Sequence, residues 1–190
     1  MNRQLIFLTH AEVEIDPAVA VTDWGLSETG RARHASFAQT DIVQRVTGLY
    51  TSAERKAREG VNPLAARLGL NARALHALGE NDRSATGFLP PEEFERTADA
   101  FFANPDDSIR GWERARAAQA RVVASLRTIA DLDTTTGDLL IVAHGAVGAL
   151  LRCWLKGIEI TRAEDQPAGG GCYFITDPGL SVPPDDWQRI

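Results

Sequence analysis

With 190 residues, 44% of them apolar and 24% charged, the chain has the composition of an ordinary globular protein and the length for one domain with a core that needs no staples. A formal charge of −6 argues against a nucleic-acid or anionic-membrane surface, so an anionic ligand would need positive charge gathered locally. No apolar run approaches the roughly 18 residues of a bilayer span, no leader pattern opens the chain, and the two cysteines, Cys153 and Cys172, lie in apolar stretches that suit reduced thiols in a cytoplasmic protein.

Leu5 to Leu8 is a short apolar run that stops at Thr9-His10 and reads as a buried parallel strand with its polar residues at the C-terminal edge. That edge is where ligands bind in open α/β sheets. Residues 11–24, with Pro17 and no periodicity, predict a loop over it. Ser27 then predicts an N-cap, with Glu28 at the positive end of the helix dipole. Val46 to Thr51 reads as the second strand. Ser52 is placed to cap a helix that carries Ala57, Val61, Leu64, Ala65 and Leu68 on one face and stops at Gly69. Residues 72–78 form a weaker strand candidate, and residues 79–90 a loop rich in Gly, Asn, Asp, Ser and Pro. Pro91, with Glu92 and Glu93 in the first turn, starts a helix to about Phe102, which residues 104–107 break. A long helix is expected from about Gly111, with Ala115, Ala118, Val122, Leu126 and Ile129 as its buried stripe.

Residues 139–143 repeat the opening pattern, an apolar run that stops at His144-Gly145. The helix expected over 145–157 is apolar almost all round and therefore buried. A last strand, Cys172 to Thr176, follows three glycines and could be an antiparallel edge. Strands alternating with amphipathic helices predict an α/β domain over residues 1–190, a three-layer, doubly wound and mostly parallel sheet with helices on both faces. If the two strands that end in histidine are parallel neighbours, both imidazoles enter one pocket.

Several residues also have plain structural readings. His10 alone would suit a bonded strand-end histidine, and the second copy at His144 is what favours chemistry. Lys56 stands among Glu54, Arg55, Arg58 and Glu59, a mixed charged face. Glu80 and Asp82 could each be a turn residue bonding its own backbone. Glu113 and Arg121 predict an ion pair that positions the long helix. The run Gly169 to Gly171 reads as a loop, though it could bring backbone close to a ligand. Phe88, Phe94, Phe101 and Phe102 could line a lid, while Phe94 and Phe101 are spaced as core. His34 and His76 have no metal-ligand spacing.

Taken in order, Thr9-His10, the Leu26-Ser27-x-x-Gly30 helix start, Ser52-x-x-x-Lys56-Ala57, Glu80 and His144-Gly145 resemble the histidine phosphatase superfamily, with its phosphoglycerate mutase-like fold, over roughly residues 3–176. The resemblance implies that His10 is a nucleophile that becomes phosphorylated, that Glu80 (or Asp82) is the proton donor, and that Lys56 and His144 hold the phosphoryl group. It implies a phosphomonoester hydrolase that uses no metal or cofactor and acts on a small phosphorylated substrate or a phosphoprotein, releasing inorganic phosphate. The chain departs from the family pattern at Thr9 and Lys56, where arginines are expected, and at Ala11, where glycine is. Lysine supplies a point charge where arginine supplies a fork. Thr9, the N–H groups at Gly145 and Arg83, swung in from its loop, are then expected to complete the phosphate site, with residues 79–112 as a lid. Two other readings follow from the same residues: an inactive member that binds phosphorylated ligands or proteins, and a phosphatase of phosphohistidine proteins.

Overall fold

In the computed structural model, which describes residues 3–190, six strands form one sheet. They are β1 (Leu5–Thr9), β2 (Val46–Ser52), β3 (Arg73–Leu75), β4 (Asp138–Ala143), β5 (Cys172–Thr176) and β6 (Gln188–Arg189), in the order β3-β2-β4-β1-β5-β6. β1, β2, β3 and β4 run parallel, whereas β5 is antiparallel to β1 and β6 to β5. The sheet is covered on both faces by α1 (Glu28–Phe37), α2 (Arg55–Leu68), α3 (Pro91–Ala103), α4 (Ala115–Leu132) and α5 (Gly145–Leu155).

Alternation along the strands builds the two cores. Ile6, Leu8, Leu140 and Val142 pack with Phe37 of α1 and Val61 and Leu64 of α2. Leu5, Phe7, Leu139 and Ile141 pack with Phe101 of α3, Leu126 of α4 and Leu150 of α5. A central parallel strand buried on both faces must be apolar at every position, which is why these runs were continuous rather than alternating. The stripe expected on the long helix, Ala115, Ala118, Val122, Leu126 and Ile129, is buried in full. Phe101 and Phe102 are core. Among the described residues no helix is long and apolar enough to cross a membrane.

Four boundaries differ from the sequence reading. β5 is not the edge, because the tail returns to place β6 outside it. The long helix begins at Ala115 rather than Gly111, since Arg110 (φ 53°) and Gly111 (φ 83°) both take left-handed conformations that a helix cannot contain. Residues 76–78 form a single 3-10 turn, which limits β3 to three residues. Ser52 ends β2 instead of capping α2; Glu54 takes the N-cap position, and its side chain makes no capping bond. The other punctuation is as expected, with Ser27 accepting from the N–H of Gly30 and Gly69 (φ 65°) closing α2.

One buried histidine belongs to the scaffold. His34 on α1 is fully buried and its Nε2 accepts the N–H of Ala11 at 3.1 Å, tying α1 to the segment that follows β1. Burial, reinforced by the charge of Arg33, lowers its pKa to about 4. As the pH falls the unfolded chain therefore takes up this proton first, so the stability contributed by neutral His34 is complete above pH 6.5 and is lost towards pH 4. The expected loss is about 3 kcal/mol. Urea denaturation at several pH values should show it, with a shallower slope in His34→Gln; identical slopes for the two proteins would contradict the assignment.

Candidate active site

The register of β1 against β4, Thr9 opposite Ala143, brings the two strand-end histidines out of the sheet side by side. Their rings are 5.2 Å apart, edge to face at 69°. The backbone of His10 is pinned on both sides: its N–H donates to Ala143 O at 3.0 Å and its carbonyl accepts from Gly171 N at 2.8 Å. The glycine run makes the second contact possible. A Cβ at Gly170 would stand 2.5 Å from His10 O, and residues 169–171 all have positive φ. These glycines therefore position the histidine from behind.

His10 Nδ1 lies 2.9 Å from Ala11 O. A carbonyl oxygen only accepts, so Nδ1 carries the hydrogen, and in the neutral ring the lone pair is on Nε2. The ring is neutral because burial, then the proximity of His144 and of Lys56, holds its pKa well below the ordinary value. His144 is fully buried and held neutral by burial and by the charges of Lys56, Arg83 and Arg121. Its Nε2 is 2.7 Å from Ser52 Oγ and 3.4 Å from Glu54 Oε1, while its Nδ1 has no hydrogen-bond partner among the described residues.

Lys56 is not the solvated residue that its charged neighbours suggest. It is buried, and Nζ donates to Val21 O at 2.8 Å and to the carboxylate of Glu54. Glu80 stands at the start of α5, where its two carboxylate oxygens accept the N–H groups of Ala146 (3.1 Å) and Val147 (3.0 Å). Those are helix-opening donors of the kind expected at Gly145 for phosphate, and a carboxylate of the chain already holds them. Burial raises the pKa of Glu80, opposed in part by Arg83. Asp82 behaves as a turn residue: Oδ1 accepts from Ser84 N at 2.8 Å, which draws its pKa down.

Two expected phosphate contacts are placed elsewhere. Thr9 is fully buried, and its hydroxyl accepts from Cys172 N at 2.9 Å and donates to Gln166 Oε1 at 2.5 Å, so it is committed to joining β1 and β5. Arg83 has not swung over the histidines. Its guanidinium stacks on Phe94 (5.2 Å) and Trp112 (5.6 Å), desolvated faces that hold a cation well. It nevertheless lines a cavity of about 820 Å³ together with Ser52, Glu54, Glu80, Glu113 and Arg121; Ser52 and Glu54 connect that cavity to His144. The expected Glu113–Arg121 ion pair is present at 2.8 Å, and Arg121 also donates to the carbonyls of Gly79 and Glu80, which supports the Glu80 loop.

Sequence reasoning missed two residues at the site. Glu54 read as one charge on a solvated face, and nothing in its neighbourhood distinguished it. Gln166 lies in no motif. Its amide packs against Gly145, where a Cβ would stand 2.3 Å from Gln166 Nε2.

Two strand-end histidines thus meet on one parallel edge beside the carboxyl of Glu80 and the buried Lys56. The chain matches the model of the histidine phosphatase superfamily (branch 1) over residues 5–177, and it belongs to that family. No curated protein matches it by sequence. Among solved structures it is similar to a mycobacterial glucosyl-3-phosphoglycerate phosphatase in complex with VO3, at 18% identity over 99% of this chain and 100% of that one, with a TM-score of 0.80. It is also similar to Bacillus stearothermophilus YhfR (19% identity, 98% and 95% covered, TM-score 0.78). A third is a phosphoserine phosphatase from Entamoeba histolytica in complex with 3-phosphoglyceric acid (17% identity, 99% and 98% covered, TM-score 0.73). At these identities the likeness is one of fold.

The role of Thr9 can be tested directly. Thr9→Val leaves the buried N–H of Cys172 without its acceptor and should cost about 1–3 kcal/mol of stability, with Thr9→Ser retaining most of it. Chemical denaturation measures both, and a Thr9→Val protein as stable as wild type would contradict the assignment.

Proposed function

We propose that the protein is a phosphomonoester hydrolase that works through a phosphohistidine on His10. The observation that carries this reading is the Nδ1–H···O=C bond from His10 to Ala11, which keeps the lone pair of a neutral imidazole on Nε2. In the first step Nε2 attacks phosphorus, the P–N bond forms and the ester P–O bond breaks. Glu80, a carboxyl with its pKa raised by burial, gives its proton to the leaving oxygen. In the second step the Glu80 carboxylate takes a proton from water as the water oxygen attacks phosphorus. The P–N bond then breaks, and inorganic phosphate leaves. Asp82 is the weaker candidate for the donor, since its turn bond to Ser84 favours the ionised form.

Lys56 and His144 hold the phosphoryl oxygens in this reading, with Arg83 reaching from the cavity wall. The electrostatic work of the site is then done by these side chains, and no metal is needed. The cavity is sized for a small phosphorylated molecule. Similar structures carry names of phosphatases of small phosphorylated metabolites, and one was solved with inorganic phosphate. Residues 79–112, which supply the loop walls and the aromatic seat of Arg83, serve as the lid. The two free, buried thiols suit a reducing compartment such as the cytoplasm.

A binding-only member is the second reading. It is motivated by the sequence, which has Thr9 where the family pattern has an arginine beside the histidine.

Hydrolysis of p-nitrophenyl phosphate discriminates between the two. His10→Ala should lower turnover by about four orders of magnitude or more. Glu80→Gln should lower it by about 10²–10⁴-fold on esters with poor leaving groups and by less on nitrophenyl esters, whose oxygen needs little protonation. Activity should be unchanged by EDTA. Turnover that survives His10→Ala would refute the mechanism.

A further inference from the structure

Glu54 sits where a side chain should cap α2, and it does not do so. Its carboxylate instead reaches into the histidine site, where two hydrogen bonds hold it beside His144. Oε1 accepts the N–H of Glu80 at 2.8 Å and lies 3.4 Å from His144 Nε2. Oε2 is bonded to Lys56 Nζ. The side chain is only 12% exposed, at the wall of the cavity. A backbone N–H and a lysine ammonium converging on the two oxygens make a receptor for an oxyanion. The same lysine and the same histidine are the groups that the hydrolytic reading assigns to the phosphoryl oxygens.

We propose that the Glu54 carboxylate occupies the seat of the phosphoryl group, an internal anion that an incoming phosphate must displace. The inference rests on the phosphoryl-transfer reading of the site and adds a determinant of specificity to it. Lys56 is a buried cation whose charge acts on both histidines, and Glu54 offsets it, so a phosphate group entering with Glu54 in place meets a carboxylate already bonded to that lysine. Inorganic phosphate and small esters have nothing with which to offset that repulsion. A substrate whose leaving group fills the cavity can spend binding energy from those remote contacts on turning the carboxylate out. Glu54 thereby selects phosphoesters with a leaving group large enough to occupy the cavity, and it keeps the product from binding back.

The direct test is calorimetric titration of inorganic phosphate into the wild type, Glu54→Gln and Glu54→Ala, with thermal melts on the same samples. Phosphate affinity should rise by about tenfold or more in both variants. Lys56→Met added to either variant should abolish the gain. Melting temperature should fall in Glu54→Gln, where Lys56 is left buried without its anion, and should recover as phosphate is added. Unchanged or weaker phosphate binding in both folded variants would overturn the proposal, even if wild-type turnover depends on His10. Tighter binding in both, with no turnover in any variant, would uphold the role of Glu54 and remove the hydrolytic reading instead.

Discussion

The parallel pairing of β1 with β4 is the constraint on which the site depends. It sets Thr9 opposite Ala143, and so delivers His10 and His144 to the same sheet edge with their rings in contact. A slip of one residue would turn every side chain of β1 to the other face and separate the pair. The pairing is secured by what is buried around it: Ile6 and Leu8 below, Leu5 and Phe7 above, with Thr9 binding β1 to β5 at the end of the strand. The placement of the two histidines and the hydrophobic core are thus the same structure seen from two sides.

Burial then decides the protonation of the site. Both histidines are neutral because a second positive charge beside Lys56 in a desolvated pocket is unfavourable. The same desolvation raises the pKa of Glu80. The positive groups that remain are held by the chain's own carboxylates, Glu54 on Lys56 and Glu80 on the start of α5. A family whose usual pattern places arginines around the nucleophile is represented here by a site with one buried lysine, and the balance of charge inside it is correspondingly close to neutral. The nearby cation that is free of ion pairs among the described residues, Arg83, is parked on Phe94 and Trp112 at the cavity wall.

Much of this was legible in the sequence, for a physical reason. Central parallel strands are apolar throughout, so their ends are abrupt, and a polar residue there is already at the ligand-binding edge. His10 and His144 were visible in that way, as were Gly69 and Pro91 at helix ends. What was not legible is what depends on the reach of long side chains. Glu54, Lys56 and Arg83 each have several places to go, and a charged stretch such as residues 54–59 looks the same whether it faces water or folds one carboxylate inward. Thr9, expected at the phosphate because it precedes His10, instead spends its hydroxyl on the bonding of a buried strand. The start of α4 shifted because Arg110 adopts a left-handed conformation that no residue type advertises.

Nucleophilic attack by His10 depends on the protonation state of its ring. In a ¹⁵N-labelled sample at neutral pH, long-range ¹H–¹⁵N correlation spectra, assigned by comparison with His10→Ala, report which imidazole nitrogen of His10 bears hydrogen. The structure predicts a neutral ring with the hydrogen on Nδ1 and a lone pair on Nε2. An imidazolium, or a neutral ring with its hydrogen on Nε2, would leave no nucleophile at this position and would contradict the central claim.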